Sequence, residues 1–122
     1  MQKPQAALVE LERVIKRGFV GGCIPCTSPV DYPYNHEIYE PIWALAEESN
    51  FPMSMHVGTN SYLPPEYRNR QAIRDGVADY SVSPTTIQRT LVELICRGVA
   101  EKHTKLQIVV AEFIGCLLYT YD

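Results

Sequence analysis

The sequence predicts an α/β domain in which parallel strands are flanked by helices. Two observations carry that prediction. A helical apolar stripe followed by a short apolar strand pattern occurs three times along the 122 residues. Alternation of this kind implies right-handed crossovers between parallel strands. The joins are also unequal: helices pass to strands through one or two residues at Gly18 and Asn50, whereas strands pass to helices through long stretches at about 26–38 and 58–82. Ligands bind at the carboxyl ends of strands in parallel α/β folds. Long segments on that side alone place a working face there, with structural turns opposite.

The first helix is predicted over residues 4–17. Pro4 suits the first turn, where its missing N–H costs nothing. Leu8, Leu11 and Ile15 share one face with Val14 beside them, while Glu10, Glu12, Arg13 and Lys16 cover the rest. Gly18 is a natural stop. Residues 19–24 then read as a short buried strand, and the adjacent Gly21 and Gly22 point to close approach by another backbone or a ligand. The second helix is predicted over 39–49, with Pro41 near its start and Ile42, Leu45 and Ala46 facing inward. A strand follows at 52–57. Its period of two sends Met53, Met55 and Val57 to one face and Ser54 and His56 to the other.

The third helix is predicted to start at Ser83 and Pro84, a good cap and first-turn pair. Its stripe continues through Ile87, Leu91, Leu94, Ile95 and Val99, and Gly98 ends or breaks it. Residues 106–111 form a third strand, rich in β-branched side chains. A fourth helix opens at 115–121.

Composition excludes several classes of function. A net charge of −3 with scattered basic residues leaves no electrostatic footprint for nucleic acid. No apolar run approaches the roughly 18 residues that span a bilayer, so no membrane partner is expected. The first sixteen residues carry charge throughout and hold no apolar leader core. The four cysteines therefore read as reduced thiols of a cytoplasmic protein, not as a disulfide frame.

Three places carry candidate chemistry. His56 sits at the carboxyl end of a strand, on the side of Ser54, and an imidazole there can bind a metal or move a proton. The alternative is a buried, hydrogen-bonded structural histidine. Glu112 ends the third strand, and alternation places it at the same rim. It reads as a general base, metal ligand or substrate anchor, or as a carboxylate stabilised by a following helix dipole. Cys23 and Cys26 form a C-x-P-C spacing at a strand end, but the residues after it do not make the helix that activates such thiols. A small thiol-based binding or redox module stays open beside a plain reading: a buried Cys23 on the strand and an incidental Cys26 in the loop. His103 lies in a helix-to-strand turn on the far face and reads as structural. His36, Arg68, Arg70 and Arg74 lie in the long segments, where each can reach a substrate or simply be solvated.

Residues 39–48 (Tyr-Glu-Pro-Ile-Trp-Ala-Leu-Ala-Glu-Glu) followed by 51–59 (Phe-Pro-Met-Ser-Met-His-Val-Gly-Thr) resemble the amidohydrolase-related family, which includes aminocarboxymuconate semialdehyde decarboxylase-like enzymes. The opening helix with Arg17-Gly18-Phe19 fits, as does the run from Leu94 to Val99 leading to Leu106. The resemblance implies a metal-dependent (β/α)₈ TIM barrel holding a divalent metal, usually zinc. It matches His56 to the family's middle-strand metal histidine. Where many members carry a histidine after the next strand, this chain has Glu112, and 113–115 depart from the family's Gly-Trp turn.

A complete barrel needs about 250 residues. Residues 1–122 supply about three parallel strands with flanking helices and contain no His-x-His. The expectation is a single partial barrel domain that lacks the N- and C-terminal strands. Its parent would be a hydrolase or non-oxidative decarboxylase of a small organic acid, with His56 as metal ligand and Glu112 as catalytic residue. Alone, the chain offers one of roughly four zinc ligands, too few for tight binding. The alternative is a catalytically inactive truncated sheet. Its exposed strand edges favour self-association, so a homo-oligomer is expected.

Overall fold

The computed structural model describes residues 3–29, 31–60 and 76–111. The elements run α1 (Pro4–Lys16), β1 (Gly22–Thr27), a 3₁₀ turn (Glu37–Tyr39), α2 (Glu40–Glu48), β2 (Met53–Asn60), α3 (Gly76–Cys96), α4 (Val99–Lys102) and β3 (Ile108–Ala111). The strands form one parallel sheet in the order β1-β2-β3. This is the expected α/β architecture of about three parallel strands with flanking helices.

Helix α1 forms where the stripe predicted it, with Pro4 in its first turn. Gly18 closes it at φ 79°, a left-handed conformation that glycine adopts without strain. The next two residues depart from expectation. Phe19 and Val20 are 58% and 89% exposed and precede the strand instead of forming it. The cause is tertiary. Phe19 N–H still bonds back to the Val14 carbonyl, and the sheet begins only where Gly22 N–H reaches the Pro52 carbonyl at 3.0 Å. The glycine pair does mark close approach: a Cβ on Gly21 would lie 3.3 Å from the Pro52 carbonyl oxygen, and one on Gly22 would lie 3.0 Å from the Phe51 ring.

Helix α3 also departs from expectation. It starts at Gly76, so Ser83 and Pro84 lie inside it and do not cap it. A proline inside a helix removes one i→i−4 hydrogen bond. Gly98, at φ 82°, separates α3 from the short α4. Strand β3 begins at Ile108, two residues later than predicted. The predicted helix at 115–121 lies outside the described residues.

The core lies on one face of the sheet. Ile24, Cys26, Met53 and Met55 point into a buried cluster with Ile42, Trp43, Ala46, Ile87 and Leu94. The alternation read from the sequence for β2 holds: Met53 and Met55 are buried, and Ser54 and His56 are partly exposed. On the opposite face Cys23 is exposed and Val109 is 47% exposed. Three buried aromatics knit the segment after β1 to α2. Tyr34 lies edge-on to Tyr39 and Trp43, with ring centroids 5.2 and 5.7 Å away. The Trp43 indole N–H donates to the Tyr34 carbonyl at 2.9 Å.

Candidate functional site

β2 runs on to Asn60, past the strand end expected at residue 57, so His56 is the fourth of its eight residues and the last in regular register before the pairing shifts. In register it stands between Pro25 of β1 and Ala111 of β3. Paired residues of neighbouring strands share a face, so the imidazole belongs to the face turned away from the helices.

The strand pairing changes immediately after His56. Pro25 pairs with His56 and Thr27 pairs with Asn60, so β2 advances four residues while β1 advances two. A bulge of this kind bends a strand and re-aims its side chains, and bulges concentrate at barrel rims and beside active sites. Thr59 holds it in place. Its Oγ accepts the Cys26 N–H at 3.1 Å and donates to the His56 carbonyl at 2.6 Å. The end of β1 is pinned from the helix side as well, because the Thr90 hydroxyl donates to the Cys26 carbonyl at 2.7 Å. The Tyr34 hydroxyl donates to the Pro25 carbonyl at 2.7 Å, and burial pushes that phenol up, so it remains a neutral donor. Thus the backbone around His56 and its register partner Pro25 is fixed by side chains from two elements and a loop. Sequence reasoning missed Thr59 and Thr90 as supports. Gly58, inside the bulge, was the available signal.

The other sequence candidates separate. Glu112 lies outside the described residues, as do Arg68, Arg70 and Arg74. The last described neighbour of His56 on β3 is Ala111. His36 caps the 3₁₀ turn: its Nδ1 accepts the Ile38 N–H at 3.2 Å, and its ring lies edge-on to Tyr32. Cys23 and Cys26 both lie within β1. An extended strand separates residues three apart by roughly 10 Å, beyond the roughly 7 Å that a disulfide spans. Cys23 is exposed and Cys26 is fully buried, the reverse of the plain reading from sequence. The thiol-pair module is therefore not supported.

Among the described residues no group of three His, Cys, Asp or Glu side chains is arranged to hold a metal ion. An apolar groove lined by Ala7, Leu11, Val14, Phe19 and Met53 lies beside α1 near the start of β1, at the other end of the strands from His56.

A family model described as Amidohydrolase matches residues 1–116. The chain belongs to the amidohydrolase family. Among solved structures it is similar to an amidohydrolase from Mycobacterium avium subsp. paratuberculosis K-10, with 23% identity and a TM-score of 0.71. That likeness covers 92% of this chain and 30% of the other. It is also similar to a Staphylococcus aureus protein designated an amidohydrolase, with 21% identity and a TM-score of 0.66 over 88% of this chain and 37% of that one. No curated protein matches the chain. This amidohydrolase-family chain thus spans about a third of the length of the proteins whose fold it shares. Within that fold, β2 is a barrel strand, and His56 lies midway along it on the face turned from the helices.

Proposed function

We propose that this chain is one strand-and-helix segment of a metal-dependent amidohydrolase, a hydrolase or a non-oxidative decarboxylase acting on a small organic acid. One observation carries the reading: His56 lies midway along the central strand, on the side away from the helices, at the last regular pairing before a bulge. His56 serves as one ligand of a divalent metal, with zinc as the proposed ion. Glu112, the residue after Ala111, orients the substrate or takes a proton. For its carboxylate to reach the rim beside His56, the chain must leave the strand's period of two after Ala111.

The described residues do not build a metal site by themselves, and zinc requires three or four protein ligands. The remaining ligands belong to other strands of a complete barrel, and the 122-residue chain alone is proposed to be inactive.

Metal analysis of the full-length enzyme tests this reading. About one divalent ion per chain is expected. His56→Ala should lower the affinity by more than the roughly 10- to 100-fold that loss of an outer-shell partner costs. Glu112→Gln should keep the ion while turnover falls by about 10²- to 10⁴-fold, the range for loss of an acid–base group. Unchanged metal content in His56→Ala would remove His56 from the site.

A further inference from the structure

Away from the strand ends, the described residues hold one buried histidine with two acidic partners. His103 follows α4 and is 6% exposed. Its Nδ1 lies 2.9 Å from Glu47 Oε2 and its Nε2 lies 3.1 Å from Glu40 Oε1. Both carboxylates belong to α2. An ionised carboxylate only accepts, and a neutral imidazole has a single N–H. The neutral ring can therefore satisfy one of these carboxylates and must turn a lone pair toward the other.

The carboxylates have cationic or N–H partners of their own. Lys102 Nζ lies 2.7 Å from Glu40 Oε1, and the Lys105 backbone N–H donates to Glu47 Oε1 at 2.8 Å. The Lys102 ammonium, then His103, holds Glu40 below the usual carboxylate range, and the Lys105 N–H, then His103, does the same for Glu47. Lowered carboxylates contribute stability that is present above about pH 4.3 and lost as pH falls through their folded values. Above that range both remain acceptors, and the proton count of the ring decides the geometry.

We propose that His103 closes a proton-dependent clamp between α2 and the turn entering β3: as an imidazolium it donates to Glu40 and Glu47 together, and on losing a proton it releases Glu40. Glu40 is the partner released because it is the more exposed of the two and Lys102 remains to it. The clamp bears on the sheet. The turn it holds runs to Gln107, whose carbonyl accepts the Met53 N–H at 2.9 Å, so release loosens the docking of β3 on β2. This inference does not depend on a metal at His56.

The experiment is a pH titration of the ¹⁵N-histidine-labelled chain, which has three histidines to assign. It is read beside amide hydrogen exchange corrected for the intrinsic effect of pH. At the acid end of the transition both ring nitrogens of His103 should carry protons. As pH rises, Nε2 should lose its proton, and exchange at Leu106 and Val109 should quicken about tenfold in step, the order expected for one charge-assisted hydrogen bond. Glu40→Gln should shrink the step in exchange, because a carboxamide can accept from the imidazolium or donate to the neutral ring and so no longer tells the two apart. His103→Gln should abolish the step in exchange. A step of full size in Glu40→Gln, or one that persists in His103→Gln, would overturn the clamp.

Discussion

Trp43→Ala is expected to leave the chain without a cooperative unfolding transition at 25 °C. Trp43 is 1% exposed and packs between Tyr34 and Tyr39. Truncating a buried Trp to Ala costs about 3–5 kcal/mol. The Tyr34 carbonyl also loses its indole donor, and stranding a buried polar group costs about 1–3 kcal/mol more. A small domain has only about 5–15 kcal/mol in total, and a sheet whose outer face is open belongs at the low end. Trp43→Phe keeps the ring packing and loses the hydrogen bond, so it should unfold cooperatively at a lower urea midpoint. Far-ultraviolet circular dichroism is the suitable probe, because Trp43 is the single tryptophan. A Trp43→Ala chain that melts within about 1 kcal/mol of the parent would mean that the aromatic knot does not hold the loop to α2.

Two neighbouring residues should respond in opposite ways. Met55 is fully buried on the helix face, and its truncation to Ala should cost about 2–5 kcal/mol. His56 lies on the other face and is partly exposed, so His56→Ala should cost about 1 kcal/mol or less. Urea unfolding of the two variants measures both numbers. A His56→Ala loss as large as that of Met55→Ala would make the imidazole a core residue and remove it from the candidate site.

That face assignment was legible in the sequence because it is local. Met53-Ser54-Met55-His56 alternates with a period of two, and burial follows the alternation. Helix α1 was legible for the same kind of reason, with Pro4 at one end, Gly18 at the other and a stripe between. What the sequence did not reveal depends on distant partners. Phe19 and Val20 look like strand residues, yet β1 begins only where Gly22 meets Pro52. Ser83 and Pro84 carry a strong start signal, yet α3 is already formed before them. The bulge after His56 is fixed by Thr59, whose hydroxyl meets a residue 33 positions away in sequence. His103 finds its two carboxylates at separations of 56 and 63 residues. No periodicity encodes such meetings. The split of Cys23 and Cys26 between two faces was, by contrast, implicit in the strand period and hidden only by a misplaced strand boundary.

The most direct test is a crystal structure of the full-length enzyme with its metal located by anomalous scattering. The account predicts an ion about 2.0–2.1 Å from a ring nitrogen of His56, the distance of a zinc–imidazole bond, with the ring on the sheet face opposite Met55. An ion held by other residues while His56 stands apart from it would contradict the account, whatever the match in fold.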